Sequence, residues 1–171
     1  MDLYLDNAAT TELSDRMKKY LCSMLNRYWN PSSKYEKGIE MRKMIDNSRN
    51  CVADFINAEP DNIIFTSGGS ASNTLAIKGY TNKNNSIVLY SPISHKSILK
   101  CAKSCKYAYP LKVNTSGKIL LNDLEEYLSI YNKKSLIVID YANSEIGTIQ
   151  DVKKIIDLVH FYNGKIYLDC T

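Results

Sequence analysis

Glycines and hydroxyl side chains follow an apolar run at residues 63–65, and this pattern is typical of a phosphate-binding loop. Gly68 and Gly69 have no Cβ, so the backbone can turn tightly there and approach a ligand closely. A helical pattern follows at once, and the first amides of a helix have no partners within it and attract negative charge. We therefore predict a strand at 63–65 and then a phosphate site. Further donors would be the hydroxyls of Thr66, Ser67, Ser70 and Ser72.

The loop matches neither of the two common phosphate-binding motifs. It is not the G-x-x-x-x-G-K-[ST] loop of nucleoside triphosphatases, nor the full G-x-G-x-x-G dinucleotide fingerprint. An ordinary strand-to-helix turn with a polar cap therefore stays open as an alternative, because such turns are common in α/β folds.

Polar side chains also follow three other predicted strands. Ligands in open α/β sheets bind beyond the carboxyl ends of the strands, so these side chains would meet the phosphate loop at one rim. They are His95 after the strand at 86–90, Asn143 and Ser144 after the strand at 136–140, and Asp169 at the end of the strand at 165–169.

Strands and helices alternate along the chain after the first two predicted helices. This alternation predicts an α/β fold, a three-layer and mostly parallel sheet with helices on both faces. The strand at 107–113 contains Pro110, which has no amide hydrogen, so we place it near a sheet edge. The predicted helices are 14–28, 34–57, 94–103, 122–128 with a capping box at Asn122 and Glu125, and one from 152 that Asp151 caps.

Composition limits the classes of protein to consider. The chain has 171 residues, 44% of them hydrophobic and 23% charged, which is typical of one globular domain. The net charge of +4 is scattered, so nucleic-acid binding is not indicated. No apolar run approaches the roughly 20 residues that span a bilayer, and the N-terminus has no secretory pattern. We therefore expect no membrane association and a cytoplasmic location.

Five cysteines are present, and an odd number without a secretory signal favours reduced thiols. Cys101 and Cys105 are four residues apart and would share a helix face. A structural zinc site needs four ligands, and no second pair accompanies these two. We therefore expect buried thiols and no metal.

Seven stretches of the sequence resemble, in family order, the class V pyridoxal-phosphate enzymes, and most specifically the cysteine desulfurases. Together they extend over almost the whole chain, and no single one of them would establish the resemblance. They are residues 4–11, 30–33, 65–68, 75–79, 95–99, 145–151 and 169–171.

The resemblance implies a pyridoxal 5′-phosphate cofactor and assigns roles to the rim residues. Gly69 and Ser70 fall where the family holds the phosphate with a backbone amide and a hydroxyl. His95 falls on the histidine that stacks on the pyridine ring and helps proton transfer with the substrate thiol. A helix N-terminus disfavours the charged form of a histidine, which suits a neutral stacking ring. Asp169 falls on the aspartate that keeps the pyridine nitrogen protonated.

The sequence departs from the family at several of its motif positions. Ala71 stands where the family has glutamate, and Tyr35 stands where it has histidine. Ser144 replaces the asparagine that contacts the cofactor's ring oxygen, and Asn143 would serve instead only if the loop shifts. We keep both Asn143 and Ser144 as candidate cofactor-binding residues.

The activity that the resemblance implies is removal of sulfur from L-cysteine, giving alanine and an enzyme persulfide for iron–sulfur cluster or thio-cofactor synthesis. The full-length protein would be a homodimer that passes sulfur to an acceptor or iron–sulfur scaffold protein. The family's Schiff-base lysine and its sulfur-accepting cysteine would come after residue 171. We therefore expect a single partial domain, inactive alone, with an N-terminal arm and helices at 1–58 and the first part of the cofactor-binding large domain at 59–171.

Three other hypotheses stay open. The departures at Ala71 and Ser144 favour a non-catalytic remnant or binding module of the same fold. Another class V lyase, such as a selenocysteine lyase, would share the same motifs. A nucleotide-binding α/β domain fits the phosphate loop but lacks an acidic residue placed for a ribose.

Overall fold

The computed structural model describes residues 3–131 and 134–171. The chain forms two compact units, Met1–Phe65 and Thr66–Thr171. The predicted division into an arm at 1–58 and a cofactor-binding domain from 59 stays a prediction. In the described part of the chain, no helix combines the length and the apolar character that crossing a membrane requires.

The described part of the first unit contains two α-helices, α1 at Asp15–Met24 and α2 at Glu36–Ile56, and a short 3₁₀-helix at Pro60–Asn62. The Ser14 hydroxyl caps α1 by accepting a hydrogen bond from the Met17 amide. Helix α1 ends four residues before the predicted boundary, where the Leu25 amide bonds to the Cys22 carbonyl in a tighter turn. Helix α2 agrees with its prediction to within two residues.

The apolar stripe of α2 forms as predicted but remains largely exposed. Met41 is buried, whereas Ile45, Val52 and Phe55 are exposed, Phe55 by 90%. Helical spacing therefore predicted the helix correctly, while the described residues of the unit supply little for its apolar face to pack against.

The predicted strand at 63–65 is wrong, because this run is extended but joins no sheet in the described residues. A strand is stable only when a neighbour takes its backbone hydrogen bonds. Here the Ile63 carbonyl accepts a hydrogen bond from the Arg49 guanidinium. That guanidinium also lies 5.1 Å from the centre of the Phe65 ring.

The second unit is a four-stranded sheet in which every strand is parallel to its neighbours, in the order β2-β1-β3-β4. The predicted α/β fold is confirmed, and the proline-containing strand lies at an edge as expected. The strands are β1 at Ile87–Tyr90, β2 at Ala108–Pro110, β3 at Ser135–Asp140 and β4 at Lys165–Asp169.

Helices cover both faces of this sheet. Alternate residues of a strand point to opposite faces, so Leu89 and Ile137 belong to one core and Val88 and Val138 to the other. The helices are α3 at Gly69–Asn73, a π-helical turn at Thr74–Lys78, α4 at Gly79–Asn84, α5 at Lys96–Lys103, α6 at Leu121–Tyr131 and α7 at Val152–Phe161. Both cores end at the rim where the strands stop, and this positions the loops of the candidate site.

Two predicted helix caps are wrong in their chemistry. Helix α6 begins at Leu121, before the predicted capping box, because the Leu124 amide already bonds to the Leu120 carbonyl. Asp151 precedes α7 as predicted, but its side chain makes no capping hydrogen bond. It accepts instead from Lys118 Nζ at 2.9 Å, and the ion pair replaces the cap.

Candidate active site

The loop before α3 is closed by its own hydrogen bonds. The Gly68 carbonyl accepts from the amides of Ala71 and Ser72 at 3.0 and 3.1 Å. The Thr66 and Ser72 hydroxyls lie 2.7 Å apart. Gly68 has a φ of 151°, a backbone angle that residues with a side chain rarely adopt, so the turn depends on glycine.

The amides of Gly69 and Ser70 remain unpaired in the described structure. They are the first two amides of the helical segment 69–84, and both residues are exposed. The Ser70 hydroxyl is also without a protein partner among the described residues. Three adjacent donors at a helix start are groups that could bind an anion, and the phosphate site predicted at Gly69 and Ser70 stays a prediction.

The end of β4 lies beside this loop. A Cβ added to Gly69 would be 3.9 Å from Thr171 Oγ1. Thr171 in turn donates twice to Asp169 Oδ1, from its amide at 2.9 Å and from its hydroxyl at 2.6 Å. The structure therefore brings the predicted phosphate loop and the predicted ring-binding carboxylate to one place.

A second carboxyl group, which sequence reasoning did not assign to the site, stands next to Asp169. Asp140 ends β3 in register with Asp169 on β4. Burial raises the pKa of Asp140, the Ser94 hydroxyl lowers it, and the charge of Asp169 raises it again. The Ser94 hydroxyl lies close enough for that effect, yet neither its Oγ nor Asp140 Oδ1 completes a hydrogen bond within the described residues. The feature of the sequence that could have identified Asp140 was its position at the end of a predicted strand.

His95 lies at the start of α5, on the same rim. Its backbone amide lowers the pKa of Asp140. Its Nδ1 accepts from the Ser97 amide at 3.3 Å and lies 2.7 Å from Ser97 Oγ. The ring therefore caps the helix through Nδ1, which leaves Nε2 as its other polar atom.

Asn143 holds the loop after β3 closed. Its Oδ1 accepts from the amides of Glu145 and Ile146, both at 3.0 Å, and its Nδ2 donates to the Ile93 carbonyl at 2.6 Å. The Asn143 side chain would have to give up part of this network to reach a cofactor. Ser144 is exposed and its hydroxyl is free of described partners, so it keeps the candidate role.

The groups at this rim fit a phosphorylated pyridine. The amides of Gly69 and Ser70 suit a phosphate, since they are donors without competing partners. Asp169 keeps Oδ2 without a described hydrogen bond, which suits a protonated ring nitrogen. The donor set therefore matches both ends of the cofactor that the resemblance implies.

Two other features do not join this site. Cys101 is buried on α5, where burial raises the pKa of its thiol, and its Sγ donates to the Asn73 carbonyl. A surface pocket that includes Lys112 and Lys118 contains none of the predicted site residues, and both lysines are paired with aspartates.

Comparison with known proteins gives one consistent family. The family described as Aminotransferase class-V matches residues 3–171. The cysteine desulfurase IscS of Photorhabdus laumondii is 31% identical over all of this chain and 45% of its own length. The cysteine desulfurase IscS 1 of Archaeoglobus fulgidus is 33% identical over 98% of this chain and 45% of its own.

A solved structure agrees with these sequences. The NifS-like protein from Rickettsia africae superimposes with a TM-score of 0.89 at 31% identity, over 96% of this chain and 46% of that protein. The chain therefore spans about half the length of the proteins that it resembles.

Proposed function

Because the chain belongs to the class-V aminotransferase family, we propose that it forms the cofactor-binding N-terminal part of a pyridoxal-phosphate-dependent cysteine desulfurase. The complete protein would take sulfur from L-cysteine, releasing alanine and leaving a persulfide on an enzyme cysteine. Relatives named cysteine desulfurase support the substrate. A homodimer, a cytoplasmic location and a sulfur-acceptor or iron–sulfur scaffold partner stay predictions of the same proposal.

One observation carries the proposal. The unpaired amides of Gly69 and Ser70 lie beside Thr171, and Thr171 is bonded to the Asp169 carboxylate. A plain turn before a helix does not require unpaired amides beside a carboxylate. Their adjacency supports a site for a ligand with a phosphate at one end and a ring nitrogen at the other. In the proposed site, Gly69 and Ser70 hold the phosphate and Asp169 keeps a proton on the ring nitrogen.

Pyridoxal phosphate, when bound, supplies an electron sink for the substrate carbon. The chain's own contribution is binding and orientation. His95 is proposed to lie over the ring and face the substrate sulfur, and Ser144 to contact the ring oxygen. Asn143 keeps the loop that carries Ser144 in place through its bonds to Ile93 and Glu145.

Calorimetric binding of pyridoxine 5′-phosphate tests the cofactor site, because this analogue needs no lysine. Asp169→Asn should weaken binding about tenfold or more, since a charged hydrogen bond is lost, and Ser70→Ala should weaken it less. Asp157→Asn is the matched control, because Asp157 is exposed on α7 and is paired with Lys153. Equal affinities for Asp169→Asn and Asp157→Asn would refute the assigned site.

The substrate assignment has a separate test. The complete enzyme should form alanine from L-cysteine, and Asp169→Asn should abolish this while Asp157→Asn should not. Alanine formation from selenocysteine alone would establish the lyase alternative in its place.

A further inference from the structure

Four side chains join the core of the sheet to His95 in one hydrogen-bond relay. The Tyr167 hydroxyl bonds to Asn73 Oδ1. Asn73 Nδ2 donates to Ser97 Oγ at 2.9 Å, and Ser97 Oγ lies 2.7 Å from His95 Nδ1. The relay therefore crosses from β4 through α3 to α5 and ends on a ring nitrogen of the candidate site.

The Ser97 amide fixes the direction of this relay. A backbone amide can only donate, and this one points at His95 Nδ1 at 3.3 Å. If Nδ1 carried a hydrogen, two N–H groups would face each other. Nδ1 must therefore accept in the neutral ring, and the hydroxyl of Ser97 must donate to it.

The remaining two links follow from that first one. Because Ser97 Oγ gives its hydrogen to His95, it has to accept from Asn73, which sets Nδ2 toward Ser97 and Oδ1 toward Tyr167. Tyr167 then donates. Burial, and next the charge of Asp169, raise the pKa of Tyr167, so its hydroxyl keeps the hydrogen that it donates.

Burial of Asn73 keeps water from replacing its two partners. Asn73 is 1% exposed, and Ser97 and Tyr167 are half-buried. If the buried Asn73 side-chain amide lost a partner, it would remain without a hydrogen bond. Asn73 therefore stabilises the orientation of the whole relay. His95 itself is exposed, and its Nε2 has no bond to any described residue.

We propose that Ser97, Asn73 and Tyr167 are positioning residues that keep the proton of neutral His95 on Nε2. The exposed nitrogen then donates a hydrogen bond and has no free lone pair. In the proposed function, on which this consequence rests, His95 would hold an anionic acceptor such as the substrate thiolate by donation. It would not take the proton of a thiol through Nε2.

Imidazole nitrogen NMR on the ¹⁵N-histidine-labelled chain, without cofactor, tests the proposal directly. The chain has two histidines, so His160→Gln assigns the His95 signals. The spectra are taken about two pH units above the usual histidine pKa of about 6.5, where the ring is neutral. We expect the Nε2–H tautomer for His95.

Three substitutions of the relay make the test specific. Ser97→Ala should raise the Nδ1–H fraction about fivefold, the factor that corresponds to one ordinary hydrogen bond, and Ser97→Thr should restore it. Asn73→Asp should raise the Nδ1–H fraction by a similar factor. Its carboxylate takes the hydrogen of the Ser97 hydroxyl away from His95, while the Ser97 amide still points at Nδ1.

Ser104→Ala is the matched control. It removes a hydroxyl at the opposite end of α5, where Ser104 bonds to the Cys101 carbonyl, and it should leave the tautomer unchanged. A wild-type Nδ1–H tautomer, or equal tautomer ratios in wild type and Ser97→Ala, would overturn the proposal. If Asn73→Asp does not fold, the Ser97→Ala and Ser97→Thr pair decides. Because no cofactor is present, this outcome is independent of whether pyridoxine 5′-phosphate binds.

Discussion

Asp140 and Asp169 lie opposite each other at the ends of β3 and β4, as the last of five register pairs. The Asp169 carboxylate accepts two hydrogen bonds from Thr171, whereas Asp140 is half-buried and its buried Oδ1 is unpartnered in the described structure. The charge of Asp169 adds to burial in raising the pKa of Asp140, because two carboxylates at such a place repel each other. The candidate site therefore has one carboxylate, Asp169, oriented by Thr171, and a second, Asp140, whose ionisation is disfavoured.

The raised pKa of Asp140 predicts how stability depends on pH. A carboxyl group whose pKa is higher in the folded state stabilises the fold at low pH and loses that contribution as the pH rises through the folded pKa. Asp140→Asn should therefore gain stability relative to wild type as the pH rises above the ordinary aspartate value of 3.8. Urea unfolding of both proteins across pH 4 to 7, about the range in question, measures this. A difference that does not change with pH would contradict the assignment.

Asp123 predicts the opposite pH dependence. Burial would raise the pKa of Asp123, but the side chain and the amide of Lys112, both at 2.8 Å, outweigh burial and lower it. Asp123→Asn should cost about 1–2 kcal/mol of unfolding free energy at pH 7. The cost should vanish as the pH falls through the lowered pKa. The exposed pair of Asp157 with Lys153 supplies the control, and Asp157→Asn should cost under about 0.5 kcal/mol.

The two glycines of the phosphate loop should differ in their tolerance of a side chain. Gly68→Ala forces alanine to a φ of 151° and should cost about 1–3 kcal/mol. It should also weaken pyridoxine 5′-phosphate binding. Gly69→Ala places a Cβ 3.9 Å from Thr171 Oγ1, an ordinary contact, so both stability and affinity should persist. Calorimetry and urea unfolding check both variants, and equal losses for the two would refute this account of the loop.

The exposed face of α2 predicts self-association of the chain. Val52, Phe55 and Ile56 form an exposed apolar patch, and β4 is an edge strand of the described sheet. Phe55→Lys should weaken self-association roughly tenfold or more in sedimentation equilibrium. Asn47→Lys adds the same charge to the same helix and should not. A monodisperse wild-type monomer would contradict the prediction.

Much of the fold followed from local patterns. The continuous apolar run at 136–139 predicted a strand covered on both faces, and β3 is buried over that run. Strand ends gave His95 and Asp169 their place at the rim, because parallel strands end at the same edge. The strand at 63–65 was predicted wrongly because its stability depends on a neighbour, which no local pattern reveals.

Local sequence patterns could not predict the hydrogen-bond relay to His95. Tyr167 and Asn73 are 94 positions apart, and Asn73 and Ser97 are 24 apart. Each residue taken alone is an ordinary polar side chain, and only the packing of β4, α3 and α5 joins them. Asp140 was similarly placed at a strand end by the sequence, but its unpartnered oxygen depends on burial by residues far along the chain.

Backbone-amide NMR titration with pyridoxine 5′-phosphate tests the central claim, that the loop at Gly69 and the end of β4 form one cofactor site. We predict that the amide signals of Gly69, Ser70 and Thr171 shift together with a single dissociation constant. Inorganic phosphate should shift only the first two. Separate saturation of the loop and of Thr171, or shifts at Lys118 with none at Gly69, would contradict the account.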